Sequence, residues 1–189
     1  MKVALYFGSF NPIHIGHLIV ASYTANHTDV QQVWFVVSPQ NPLKSSSVLL
    51  NEYHRLHLVH LAVEDDLRLK ASDVEFKLPR PSYTIDTLTY LKEKYPQHEF
   101  SVLMGSDSFQ NLPKWKNFEL LLKMHPVIIY KRPGFAVTET WGASTILLEA
   151  PLLQLSATEI RDNIKSGKTI RYLVPEKVRE EIERNSYYK

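Results

Sequence analysis

The feature that most narrows what this chain can fold into lies near its start, where Lys2 to Phe7 form a short, nearly unbroken apolar run that ends in Gly8-Ser9-Phe10-Asn11-Pro12. A run of that length bounded by Gly and Pro reads as a strand covered on both faces, because a half-exposed strand would alternate apolar with polar residues. A helix is expected to follow at once: from His14 to about Ala25, Ile15, Leu18, Ile19 and Ala21 recur at roughly helical spacing. Val33 to Val37 then reads as a second buried strand, completing a βαβ unit.

The alternation persists. Ser38 to Ser47, with Pro39, Pro42 and a run of serines, reads as a long polar loop, Asn51 to about Glu64 as a helix, and Leu67 to Ala71 and Val74 to Leu78 as short strands. Beyond Pro79 and Pro81, the series Ile85, Leu88, Leu91 with Tyr95 marks an amphipathic helix, and Phe100 to Met104 a buried strand ending at Gly105. Val127 to Tyr130 and Thr145 to Leu148 are later strands, Ala157 to Ile164 and Glu176 to Glu183 later helices. This pattern predicts an α/β fold with a mostly parallel sheet and helices on both faces. A length of 189 residues fits a single domain over 1–189, with a helical C-terminal part from about residue 156. Ligands in such folds bind beyond the carboxyl ends of the strands, where Gly8, Ser38 and Gly105 all fall.

Charge and composition narrow the partners. Twenty-two basic residues against 20 acidic ones give a net charge of +2, so no global field draws the chain to nucleic acid or to a membrane surface, and any anion site must be local. The absence of cysteine excludes disulfides, thiolate metal sites and cysteine nucleophiles, and fits a reducing compartment. No apolar segment approaches the ~20 residues that span a bilayer, so a cytoplasmic location is expected. The sequence assigns no oligomeric state.

Two segments carry chemistry. In Gly8-Ser9-Phe10-Asn11-Pro12-Ile13-His14-Ile15-Gly16-His17, the junction of strand and helix offers unpaired N–H groups and the positive end of a helix dipole, which suits polyphosphate, while Gly8 and Gly16 leave room for a phosphate to approach the backbone. His14 and His17, three apart, are expected on one side, where both imidazoles can donate to one phosphoryl group. In Ser156-Ala157-Thr158-Glu159-Ile160-Arg161, a capping box accounts for Ser156 and Glu159. Thr158 and Arg161 are left over, and they would complete a second anion site at a helix N-terminus, with the guanidinium gripping phosphate oxygens in a fork.

Together these motifs resemble the HxGH family of nucleotidyltransferases. Within it, the connecting pieces are similar to those of nicotinate-nucleotide adenylyltransferases: Pro39 to Lys44, Arg80 to Leu88, Gly105-Ser106-Asp107, Trp115 and Arg132-Pro133-Gly134. The likeness spans Lys2 to about Asp162 in the family's order. It implies a Rossmann-like, doubly wound sheet and transfer of AMP from ATP to nicotinic acid mononucleotide, giving nicotinic acid adenine dinucleotide and pyrophosphate, a step of NAD biosynthesis. It further implies catalytic contacts from His14 and His17. ATP contacts would come from Gly8, Ser9, Phe10, Gly16, Lys44, Gly105, Asp107, Ser156, Thr158 and Arg161, and acceptor contacts from Ser82, Tyr83, Thr84, Trp115 and Arg132. Three positions depart from the family's habit: Phe7 replaces a second glycine, Asn11 an aspartate and Ala157 a serine. Asn11 keeps hydrogen-bonding capacity but no charge, so no metal ligation is assigned to it.

The acceptor phosphate is already anionic at neutral pH, so an in-line attack on the α-phosphorus needs no general base, and positioning with charge stabilisation should dominate. Mg²⁺ is expected to travel with the ATP phosphates, held by substrate oxygens and water. His54, His57 and His60 are expected on a solvated helix face, and Tyr187-Tyr188-Lys189 as a plain terminus. The competing readings are a related adenylyltransferase with another acceptor, such as phosphopantetheine or a nicotinamide-type nucleotide, and a non-catalytic nucleotide-binding protein.

Overall fold

The computed structural model describes residues 1–40, 49–151 and 153–189. Six strands, β1 (Lys2–Gly8), β2 (Gln32–Val37), β3 (Leu69–Ser72), β4 (Glu99–Gly105), β5 (Val127–Tyr130) and β6 (Thr145–Leu148), form one sheet in the order β3-β2-β1-β4-β5-β6. Every neighbouring pair is parallel, with Leu5 of β1 flanked by Trp34 on β2 and Val102 on β4. The helices are α1 (Ile15–His27), α2 (Glu52–Val63), α3 (Thr84–Lys94), α4 (Ser106–Gln110), α5 (Phe118–Met124), α6 (Ala157–Lys165) and α7 (Glu176–Arg184).

Because successive strand residues point to opposite faces, β1 sends Ala4 and Tyr6 to one core and Val3 and Leu5 to another. The first core is closed by Val20 and Ala21 of α1, Leu58 and Val59 of α2, Ile160 of α6 and Val178 and Ile182 of α7. The second is closed by Ile85, Leu88 and Leu91 of α3, Phe109 of α4 and Leu121 and Leu122 of α5. Both faces are therefore covered, as a parallel sheet requires. The strand order reverses between β1 and β4, and the crevice beyond their carboxyl ends is where a doubly wound sheet places its ligand.

Two expectations need correction. Val74 to Leu78 is no strand; Val74–Lys77 is a turn of 3₁₀ helix, begun when the Phe76 N–H bonds to the Asp73 carbonyl at 2.9 Å. The alternating Val74, Phe76 and Leu78 imitate a strand's period, but the turn chemistry of Asp73 outweighs it. The preceding strand begins at Leu69 rather than Leu67, because Asp66 ties down the Arg68 N–H through Oδ1 at 3.0 Å and the Leu69 N–H through its carbonyl at 2.9 Å.

Candidate active site

The first motif forms a tight corner. Phe10 takes a left-handed conformation, φ 45°, and buries its ring in the core. A Cβ on Gly8 would lie 2.8 Å from that ring, so Gly8 makes room for Phe10. His14 is the residue that caps α1, not part of its first turn, and its ring stacks on that of His17 with centroids 3.7 Å apart. The two imidazoles do share one side.

The His14 N–H donates to His17 Nδ1 at 3.3 Å, which places the proton of neutral His17 on Nε2. His14 is 6% exposed, and its Nδ1 is buried without a hydrogen-bond partner against Gly16, where a Cβ would come within 3.1 Å. Burial, helped by the nearby charge of Arg132, lowers the His14 pKa from its ordinary 6.5 to about 4, so this imidazole is neutral at physiological pH.

The second motif meets the first directly. Arg161, one turn into α6, donates from Nη1 to the Asn11 carbonyl at 2.8 Å and from Nη2 to Thr158 Oγ1 at 3.2 Å. Ser156 caps α6 as its sequence suggests, accepting the Glu159 N–H at 3.1 Å. Asn11 Oδ1 accepts the Leu50 N–H at 3.1 Å, a task that an uncharged carboxamide performs as well as a carboxylate. The helix starts of α1 and α6 are thus fastened together through the backbone of Asn11.

At the ends of β4 and β5, Arg132 pairs with Asp107 at 3.2 Å, and its N–H bonds to Ser106 Oγ at 2.9 Å. Asp107 Oδ1 is buried without a hydrogen-bond partner over Gly105, where any Cβ would overlap it. The structure therefore joins Arg132, read from the sequence as an acceptor contact, to Asp107, read as an ATP contact.

The acceptor segment is built around a residue that the sequence reading passed over. Glu75, 2% exposed, accepts from Ser82 Oγ at 2.9 Å and from Thr87 Oγ1 at 3.0 Å. Tyr83 caps α3 with no side-chain hydrogen bond, so the first-turn N–H groups at Thr84 are left uncapped by it. Lys116 joins Trp115 to this segment: its ammonium pairs with Asp86 at 2.8 Å and lies 4.8 Å above the Tyr83 ring. Trp115 itself is half-buried against the second core. Lys44 lies outside the described residues.

Also unforeseen is Arg55, wholly buried and donating to four backbone carbonyls near the first motif. The histidine row on α2 is not simply solvated, since His54 bonds to the Tyr187 hydroxyl at 2.9 Å and His57 faces Glu181 at 3.6 Å. The last residues are correspondingly a packed element rather than a loose end, with the Tyr188 hydroxyl buried. No sequence period marks such contacts, which depend on how α7 returns to α2.

Among the described residues no group of three or more His, Asp or Glu could cage a metal ion, and no helix is long and apolar enough to cross a membrane.

The site lies at the switch point of a parallel sheet in a nucleotidyltransferase: the chain belongs to the cytidylyltransferase-like family, whose profile matches residues 5–163. Over its whole length it is 49% identical to a probable nicotinate-nucleotide adenylyltransferase of Flavobacterium psychrophilum, covering 100% of both chains. It is 47% identical to one of Cytophaga hutchinsonii, covering 100% of this chain and 98% of the other. Among solved structures, nicotinic acid mononucleotide adenylyltransferase of Plasmodium falciparum complexed with NaAD shares the fold, with a TM-score of 0.82 and 21% identity over 99% of this chain and 97% of that one.

Proposed function

We propose that this chain transfers AMP from ATP to nicotinic acid mononucleotide, releasing pyrophosphate and forming nicotinic acid adenine dinucleotide for NAD biosynthesis. The observation that carries the reading is the meeting of His14, His17 and Arg161 around one corner, together with full-length identity to relatives named for this reaction. ATP lies along the starts of α1 and α6. Its phosphates meet Gly8, Ser9 and Gly16, the backbone of buried Phe10, and Ser156, Thr158 and Arg161, with Lys44 adding a point charge and Gly105 and Asp107 bordering the cleft. His17 donates through Nε2 and neutral His14 supports it, stabilising charge on the reacting phosphoryl group. The acceptor enters over Ser82 to Thr84, with Trp115 against its ring and Arg132 between the two substrates.

The donor set fits a metal ion carried by the substrate: magnesium, which keeps most of its water, would be held by phosphate oxygens and would offset their charge. Lack of cysteine supports a cytoplasmic setting. The test is to incubate the protein with ATP, magnesium and, in turn, nicotinic acid mononucleotide, nicotinamide mononucleotide and phosphopantetheine while measuring pyrophosphate. Release with the first acceptor alone supports the proposal, and a faster reaction with either of the others, or none with any, overturns it.

A further inference from the structure

Among the Asp, Glu, Lys and Arg side chains of the described residues, two are buried, Arg55 on α2 at 0% exposure and Glu75 in the 3₁₀ turn at 2%, and neither is placed by the proposed chemistry. Neither has a described partner of opposite charge within salt-bridge reach, although burying an ion without such a partner costs several kcal/mol as an order of magnitude. Each is instead satisfied by polar groups of the two substrate loops. Arg55 donates from Nη1 to the Ser9 carbonyl at 2.6 Å and the Ser38 carbonyl at 2.8 Å, from Nη2 to Pro39 at 3.0 Å and from Nε to Leu50 at 2.7 Å. Glu75 receives the hydroxyls of Ser82 and Thr87, and the Ser38 side chain lies close enough to favour its ionised form. Ser38 is thus common to both, its carbonyl taking Arg55 and its side chain lying beside Glu75. Its N–H adds a bond to the Gly8 carbonyl at 2.9 Å.

We propose that Arg55 and Glu75 are positioning residues, Arg55 for the ATP loop at Ser9 and Glu75 for the acceptor loop at Ser82 to Thr84, coupled through Ser38 at the end of β2. The inference rests on the assignment of those loops to ATP and to the mononucleotide. The carbonyl clamp on Ser9 turns that peptide plane, so the following N–H, at Phe10, faces the phosphate side. Charge inside the clamp also favours a polyanion outside it, since an interior cation is screened weakly. On the other side, hydroxyl donors at Ser82 and Thr87 pin both flanks of Tyr83 and Thr84, so the start of α3 is presented in one orientation. The carboxylate holds them from beneath without reaching the substrate. A buried network with every member satisfied specifies one geometry, and losing one member loosens the loop it held.

The two ends predict opposite kinetic signatures. Glu75→Gln keeps the shape but turns an amide donor toward a hydroxyl donor, and Thr87→Val removes one donor while leaving Glu75 intact. Arg55→Lys keeps the charge and loses most of the fork. Steady-state kinetics of the purified proteins, with both substrates varied, should show Glu75→Gln raising KM for nicotinic acid mononucleotide by about tenfold or more while KM for ATP moves by less than about twofold. Arg55→Lys should do the reverse. Thr87→Val follows Glu75→Gln more mildly and carries the same comparison if Glu75→Gln does not fold. Combining Arg55→Lys with Thr87→Val should give non-additive losses, the mark of coupling through Ser38. Equal rises in both KM values, or a loss confined to thermal stability, would overturn the proposal. An unmutated enzyme that ignores this acceptor would instead refute the function, and calorimetric titration of ATP into the Arg55→Lys protein would still decide the ATP half.

Discussion

At the level of single residues, the two histidines stand in different surroundings despite their stacking. The Nδ1 of His17 is occupied by the His14 N–H, so the donor that can follow developing charge on the phosphoryl group is its Nε2. His17→Ala should therefore lower kcat by about two orders of magnitude or more with a small change in KM for ATP, because a donor aimed at transition-state charge acts chiefly there. Unchanged turnover in the folded variant would rule that role out. His14 offers a test that needs no substrate. Its folded pKa of about 4 lies below its ordinary 6.5, so between those values the unfolded chain binds more protons than the native one. The stabilising effect of a neutral His14 is complete above pH 6.5 and is lost as pH falls through about 4. Its size is on the order of 3 kcal/mol. His125, also lowered by burial, adds in the same direction. Urea midpoints should fall between pH 7 and pH 4, and the fall should be shallower in His14→Gln.

At the level of elements, the proposed contacts gather at the starts of α1, α3 and α6, and the sequence was readable there to different depths. Gly8, Ser156 and both histidines stood out because turns and caps need particular residue types next to each other in the chain. Arg55 and Glu75 did not, because an arginine in a helix or a glutamate in a short strand reads as solvated, and only tertiary packing reveals that each is enclosed. Short α4 and α5 were likewise invisible to periodicity, which needs more turns than they have. For α6 the cap and the guanidinium can be separated: Ser156→Ala should cost about 1 kcal/mol of stability. Arg161→Ala, which unfastens Asn11, should chiefly raise KM for ATP, measured beside a urea titration of each protein. For α3, the uncapped amides near Thr84 favour a carboxylate over a carboxamide, whose NH₂ would face N–H donors. The ratio of kcat/KM for the acid over the amide mononucleotide should reach roughly 10³, and comparable values would discard this mode of recognition.

For the whole molecule, the alternation of apolar runs foretold the doubly wound sheet, but gave no sign that the end of the chain closes over α2. Tyr188 buries its hydroxyl there without a hydrogen-bond partner, a cost with no return in stability. Tyr188→Phe should consequently match or exceed the unmutated protein in urea midpoint, whereas Tyr188→Ala should lose on the order of 2 kcal/mol by opening a gap.

The position of β1 has a bearing on birth as well as on function. It is the first of the six strands made and, flanked by β2 and β4, the one that waits longest for its second neighbour, which spans Glu99–Gly105. While the chain emerges from the ribosome, roughly a hundred residues must follow before that edge is covered. Until then the border of β1 that β4 will cover is unpaired, and Lys2 is the single charge of the strand beside the apolar Val3 and Leu5 to discourage other chains. Nascent chains halted before β4 should accordingly be held by chaperones or aggregate, and chains halted beyond β5 should not.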